Sequence, residues 1–350
     1  MTAITRYKLR KLLKYALVTV VVAWVLMLFS GEPMGLMPAV WALLGLWMGI
    51  LEEFLFGDRF RSLAAPLQFA GKVVLINLLT IAIIGLVLQV DPARLPELSA
   101  DPGARVGDIF SMRQFYQFVL RVVLVTSVAL LVVQLEEMIG RRTILGVLFA
   151  RYERPVTEER VVLTMDLVSS SALAERLGDM LYYRFLNRVH ALSTDAVLRN
   201  EAEIYKYVGD EVIFTWPMRS GVRDGNCLDL YFDIMERIQA HATEFEREFG
   251  HVPSYRAAVH AGPVIAAQVG HVKRSIEFSG DVMNSVSRMV DVAKQMKVGL
   301  VISSELLGKL PRAHERFKVS DVHVVPVKGK KREVHVHVVE RISKFSRSAS

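Results

Sequence analysis

The 350-residue sequence contains a single cysteine, Cys227. One cysteine excludes an internal disulfide and leaves no paired-thiol pattern for zinc, which fits a reducing compartment for the segment that holds it. Also missing is a basic stripe interleaved with aromatics, so the net charge of +7 does not point to nucleic acid. Much of that excess lies beside apolar segments, where membrane topology accounts for it. The long apolar runs contain no histidine, which argues against a haem or metal sensor within them. No small-residue cleavage site follows the first run and further runs come after it, so a cleaved signal peptide is not expected.

What is present is apolar and unevenly spread. A hydrophobic content of 52% and a mean hydropathy of +0.32 mark a chain partly in lipid. Before residue 140, four runs approach the roughly 20 residues that span a bilayer: Tyr15 to Phe29, Met37 to Phe56, Phe69 to Val90 and Phe115 to Val133. Arg6, Lys8, Arg10, Lys11 and Lys14 precede the first, Arg59, Arg61 and Lys72 lie between the second and third, and Arg141 and Arg142 follow the fourth. The excess of positive charge on cytoplasmic sides then predicts a multi-pass protein of the cell inner (plasma) membrane with both termini in the cytoplasm. The second and fourth runs end alike, in Glu52-Glu53 and Glu136-Glu137. These acids either mark where lipid ends or exchange partners among Arg10, Lys11, Lys14 and Arg141. Three regions are expected: a membrane domain over 1–139, a linking helix over 140–155 and a soluble domain over 156–350. In the linker, Ile144, Leu145, Leu148 and Phe149 form one apolar stripe that a twin helix in a dimer would cover, and Pro155 ends it.

In the soluble domain, Glu203 to Val208 and Val212 to Trp216 read as two strands joined by a tight Gly209-Asp210 tip. A lone turn aspartate commonly bonds its own backbone. Here Val161 to Leu167 is a second buried-strand run that ends at Asp166, followed by Ser169 to Ser171. If the two strands are neighbours, the carboxylates converge and suit a hard divalent cation shared with a substrate phosphate. The serines are expected to cap a short helix from Ala172 to Leu177, and Asp179 a longer one to Arg199 with Leu181, Phe185, Val189, Leu192 and Ala196 inward. Further on come a helix over Cys227 to Phe249, strands over Tyr255 to His260 and Val264 to Gly270, a helix over Val282 to Gln295, a strand over Gly299 to Ile302 and a last hairpin of Val322 to Val327 with Val334 to Val339. The sum is an α+β mixed sheet with helices on one face.

Five motifs occur in order: Met165-Asp166-Leu167, Lys206-x-x-Gly209-Asp210, Arg256-Ala-Ala-Val-His260-Ala-Gly262, Gly280-x-x-x-Asn284-x-x-x-Arg288 and Val327-Lys328-Gly329. From about Arg160 to Val339 the chain thereby resembles the catalytic domain of class III nucleotidyl cyclases, the adenylyl and guanylyl cyclases. The resemblance implies a ferredoxin-like core and conversion of ATP to 3′,5′-cyclic AMP and pyrophosphate. It also implies two Mg2+ or Mn2+ ions per site, held by Asp166, Asp210 and the Leu167 carbonyl. Asn284 would orient the ribose, Arg288 would stabilise the transition state, and Arg256 and Lys328 would hold phosphates. Taken singly these have plainer readings: Asn284 and Arg288 as a solvated helix face, and Lys328 as part of a basic turn.

Base choice departs from the family. Lys206 stands where an adenylyl cyclase donates to the adenine ring, but the second position, seven residues before Asn284, is Glu277 rather than Asp or Thr. Glutamate accepts and does not donate, so it suits the 6-amino group of adenine and opposes the 6-oxo group of guanine. Its extra methylene leaves a relaxed or impaired site open. The resemblance further implies a head-to-tail homodimer, one subunit supplying Asp166, Asp210 and Arg256 and its partner Lys206, Glu277, Asn284, Arg288 and Lys328. The expected partners are thus ATP, a second copy, the lipid bilayer and an unidentified ligand of the membrane domain. A diguanylate cyclase is echoed by Gly209-Asp210-Glu211, but Val208 replaces its second glycine. A guanylyl cyclase would have Glu at 206 and a small residue at 277. A non-catalytic receptor would lack catalytic residues, and none is missing.

Overall fold

The computed structural model describes residues 3–30, 37–56, 65–90, 113–139, 151–272, 274–310, 312–325 and 333–342. The chain divides into two units, Met1–Leu145 and Gly146–Ser350.

The first unit is helical throughout its described residues: α1 (Ala3–Ser30), α2 (Met37–Ile50), α3 (Ala65–Val90) and α4 (Arg113–Ile139). A π-helical segment, Leu51–Phe56, prolongs α2. By length and composition, Ala3–Leu28 and Val119–Glu137 can cross a bilayer, and Leu67–Ala82 is a shorter apolar stretch. Small residues let the helices approach: a Cβ on Gly45 would fall 2.6 Å from Ala16 Cα, so α2 meets α1 backbone to backbone. Thr19 Oγ1 donates to the Trp41 carbonyl at 2.9 Å, and Asn77 Nδ2 donates to Thr126 Oγ1 at 3.1 Å between α3 and α4. The two acid pairs are engaged by lysines. Glu53 meets Lys8 and Lys11, Glu137 meets Lys11, Glu136 meets Lys14, and the buried Glu52 meets Lys72 at 2.5 Å. Lys8 and Lys72 thus join the expected Lys11 and Lys14, while Arg141 lies outside the described residues.

Residues 140–150 of the expected linking helix also lie outside the described residues, and 151–154 form a turn and bend. Gln268 N donates to the Tyr152 carbonyl at 2.8 Å, tying that turn to the sheet.

The second unit opens with β1 (Val156–Leu167), α5 (Ser170–Leu177), α6 (Asp179–Arg199), β2 (Glu203–Val208), β3 (Glu211–Pro217), α7 (Asn226–Ala240), α8 (Ala242–Phe249) and β4 (Tyr255–Val269). It continues with β5 (Ser275–Ser279), α9 (Asp281–Met296), β6 (Leu300–Ser303), β7 (Phe317–Val319), β8 (His323–Val325) and β9 (Val334–Arg341). The sheet order is β2-β3-β1-β4-β6-β9-β7, with β5 on β4 and β8 on β9. Its first four strands follow the β-α-β-β-α-β connectivity of a ferredoxin-like core, with β1 central and antiparallel to both β3 and β4.

Strand alternation divides the core. Val161, Leu163, Met165 and Leu167 face Phe185, Val189, Leu228, Ile234 and Phe245 of α6, α7 and α8. Val162 faces the other way, onto Val282, Val286, Met289 and Val290 of α9. Helices therefore cover both faces, not one, because α9 carries its own apolar stripe back across β1 and β4. The expected Cys227–Phe249 helix is two, broken at His241, and the expected strands around residues 255 and 264 are one continuous β4. The expected caps are absent as well. Ser169 is left-handed (φ 59°) and makes no side-chain cap bond, and Asp179 is the first residue of α6 after Gly178.

Candidate active site

Three strand ends build one acidic corner. Asp166 is the penultimate residue of β1, opposite Arg256 of β4, while the preceding Met165 is opposite Val212 of β3. The β2–β3 pairing closes at Val208 and Glu211, leaving a two-residue tip in which Gly209 takes the positive φ of 63° that a side chain would strain. Asp210 follows at the base of that tip. The expected adjacency of the two strands is therefore observed.

The acids of the corner act on one another and on the phenols beside them. Burial first, then Asp166, pushes the Glu211 carboxyl above its ordinary pKa, with Asp210 adding to the effect. The phenols of Tyr182 and Tyr255 are raised by burial and by the same two aspartates. Asp210 Oδ2 is buried and has no hydrogen-bond donor. Lys294 Nζ, from the C-terminal end of α9, lies 3.0 Å from Asp166 Oδ2. Two carboxylates, an oxygen without a donor and a neighbouring backbone carbonyl at Leu167 suit a hard cation. Among the described residues no group of three or more acidic, His or Cys side chains is placed to hold a metal ion.

A second group assembles elsewhere on the chain. Lys206 of β2 and Glu277 of β5 are in direct contact, Nζ lying 3.0 Å from Oε2 and 3.1 Å from Oε1. Tyr205 Oη donates to Glu277 Oε2 at 2.7 Å and Ser275 Oγ to Oε1 at 2.9 Å. Burial raises the Glu277 carboxyl, but the hydrogen bonds from Tyr205, Lys206 and Ser275 outweigh it and hold the pKa below the usual glutamate value. Asn284 is exposed on the first turn of α9. Arg288, one turn on and half-buried, has a buried Nη1 without an acceptor. A buried guanidinium nitrogen without a partner is suited to an anion such as a phosphate.

Asp166, Leu167, Asp210 and Arg256 thus gather at one end of the sheet, Lys206 binds Glu277, and Asn284 and Arg288 share one helix. Lys294 touches Asp166, and Asn284 precedes it by ten residues, about 15 Å along a helix axis. Lys328 lies outside the described residues. Sequence reasoning missed Lys294, Tyr182, Tyr255 and Tyr205, none of which carries a motif spacing.

Comparison with known proteins bears on this geometry. The family model described as adenylate and guanylate cyclase catalytic domain matches residues 153–341. The chain is similar to adenylate cyclase 2 of Rhizobium meliloti (strain 1021), 38% identical over 201 residues that cover 57% of this chain and 55% of that one. It therefore spans about half the length of this curated relative. Among solved structures, a bacterial light-regulated adenylyl cyclase shares the fold with a TM-score of 0.53 at 19% identity, over 65% of this chain and 66% of that one. The adenylyl cyclase CyaB from P. aeruginosa matches at a TM-score of 0.48 and 16% identity, over 55% of this chain and 98% of the other.

Proposed function

Since the chain belongs to the adenylate and guanylate cyclase catalytic domain family through residues 153–341, we propose that it is a membrane-anchored adenylate cyclase that turns ATP into 3′,5′-cyclic AMP and pyrophosphate. The observation that carries the choice of base is the Lys206–Glu277 pair. An ammonium that donates to the purine ring, beside a carboxylate that accepts from the 6-amino group, favours adenine. Guanine would bring its 6-oxo oxygen against that carboxylate.

In this reading the ribose 3′ oxygen attacks the α-phosphorus of the same nucleotide and pyrophosphate leaves, a reaction that needs position and charge stabilisation more than covalent help. Asp166, Asp210 and the Leu167 carbonyl would hold two divalent cations, Mg2+ or Mn2+, whose contribution is to neutralise phosphate charge and to favour the ionised 3′ oxygen. Asn284 orients the ribose. Arg288 donates from its half-buried guanidinium to charge that develops on the phosphate, Arg256 grips phosphate oxygens with its forked donors, and Lys328 adds a point charge. Because Asn284 stands at the N-terminal end of α9 while the same chain's Asp166, on β1, meets Lys294 at the helix's C-terminal end, this reading draws the complete site from two copies, a homodimer with two equivalent sites. Four spans ending in the lysine-glutamate cluster, with both termini cytoplasmic, would keep the halves close and the site in contact with cellular ATP.

Membranes carrying the full chain are assayed with ATP and with GTP, each with Mg2+ and Mn2+, and the product is identified by chromatography. Cyclic AMP from ATP with little cyclic GMP is expected. Asp210→Asn should remove activity by at least about a hundredfold, on the scale of losing one electrostatic contact to the transition state, while the protein stays folded and membrane-bound. Cyclic GMP as the main product, or a linear dinucleotide, would sink the assignment.

A further inference from the structure

Strand β2 has one irregular step. Its pairing with β3 runs Glu203↔Thr215 and Ile204↔Phe214, then resumes at Lys206↔Ile213, so Tyr205 is the extra residue of a bulge. In a regular strand, adjacent residues point to opposite faces. A bulge re-aims side chains and is frequent beside functional sites, and here it lets both Tyr205 and Lys206 reach Glu277.

The tyrosine is fixed at three points. Its ring stacks on Phe278 with centroids 4.6 Å apart and planes 12° apart. Its oxygen accepts a hydrogen bond from Phe278 N at 2.8 Å, and its single proton goes to Glu277 Oε2 at 2.7 Å. The Arg160 guanidinium lies 4.9 Å from the Phe278 ring and is itself held by Glu158 and Glu203, so the platform is anchored to β1 and β2. Burial keeps the Tyr205 phenol protonated by raising its pKa, and it is therefore a permanent donor.

We propose that Tyr205 is the positioning residue of the purine pocket, pinning Glu277 from one side so that its carboxylate remains a fixed acceptor for the 6-amino group of adenine. A longer acidic side chain has one more rotatable bond than aspartate, and freedom in it would blur the choice of base. Tyr205 on Oε2 and Ser275 on Oε1 remove that freedom before the nucleotide arrives. Lys206, whose ammonium has three donors, can then turn one toward the ring while Glu277 stays in place. Base selection in this chain thus rests on Tyr205, Lys206 and Glu277 together, which deepens the adenylate cyclase reading and depends on it.

The test is Tyr205→Phe in the full-length chain, which removes the proton donor and keeps the stacked ring. Rates are measured with ATP, with GTP and with purine riboside triphosphate, which lacks the 6-amino group. The KM for ATP should rise about tenfold, the size of a lost hydrogen bond to a charged group, with kcat within about twofold because the contact is remote from the reacting atoms. The rate with the analogue should not change. In a Glu277→Asp background, where the shorter side chain withdraws from the phenol, Tyr205→Phe should add less than about a twofold effect. If Tyr205→Phe lowers the melting temperature, Ser275→Ala supplies the same readout from the other oxygen. A wild-type chain that makes cyclic AMP while Tyr205→Phe keeps its preference for ATP over GTP, or loses ATP and the analogue equally, overturns this proposal alone. A wild-type chain that makes no cyclic AMP removes the adenylate cyclase reading and the proposal with it.

Discussion

Lys294 Nζ stands 3.0 Å from Asp166 Oδ2, with the lysine side chain 39% exposed and the carboxylate 19% exposed. The ammonium of α9 therefore sits on an oxygen that the proposed metal needs, and α9 is the same helix that carries Asn284 and Arg288. A cation binding at Asp166 has to displace Lys294 or share the carboxylate with it.

Lys294→Met should accordingly tighten metal binding. A partly exposed pair contributes up to about 1 kcal/mol, so Mn2+ affinity is expected to rise about three- to fivefold. Electron paramagnetic resonance titration of the purified chain without nucleotide measures it. Unchanged or weaker Mn2+ binding would show that Lys294 supports the carboxylate rather than competing for it.

In the helical unit, Glu52 and Lys72 are both buried, 7% and 8% exposed, and bonded to each other. Removing one partner leaves a buried charge, which costs about 3–5 kcal/mol, whereas replacing both by apolar residues of similar volume is often neutral. Lys72→Met should thus unfold at a clearly lower temperature in detergent than the double variant Lys72→Met with Glu52→Leu. Equal melting temperatures would mean that water reaches Glu52.

Much of the site is legible in the sequence because short-range rules carry it. Alternation set the strands that end at Asp166 and Asp210, Gly209 marked the turn between β2 and β3, and the spacing of Asn284 and Arg288 put both on one helix. What escaped depends on long-range pairing. The bulge at Tyr205 exists only relative to β3, and no residue type announces it. Lys294 meets Asp166 only because α9 crosses the second face of the sheet. Strand β4 runs through Gly262-Pro263 because at Pro263 it has a neighbour on one side only, its pairing with β6 ending at Val259 and that with β5 starting at Ile265. A proline is tolerated on such an edge. The break at His241 has no glycine or proline to mark it.

Cys227 is fully buried, and burial pushes its thiol up to about 12. Its pKa in the unfolded chain is the ordinary value near 9. A group raised on folding contributes stability that is present below its unfolded pKa and lost as pH climbs toward its folded one. The thiol should therefore resist an aromatic disulfide reagent at pH 8 in the native protein and react at once in denaturant. Stability should fall between about pH 9 and pH 12 less steeply in Cys227→Ala than in wild type. Rapid native labelling would show that the α7 core opens on the timescale of the reagent.

The division of the proposed roles along α9 gives the last prediction. Asp166 is tied to the end of α9 that carries Lys294, and Asn284 lies about 15 Å away at the other end, with Arg288 between them. If each site takes its metal carboxylates from one copy and its Asn284 and Arg288 from the other, then Asp166→Ala and Arg288→Ala damage opposite halves. Each variant alone should be inactive, since both of its sites contain the lesion. In a mixed dimer, one site combines the Asp166→Ala half of one copy with the Arg288→Ala half of the other and collects both lesions. The remaining site has neither. Co-expression of differently tagged variants, with half of the dimers mixed and one good site in each, should restore about a quarter of wild-type activity. Tandem affinity purification isolates the mixed species and checks that it forms. Mixed dimers that form and remain inactive would show that the residues of one chain complete their own site, and the shared-site mechanism would have to be abandoned for this protein.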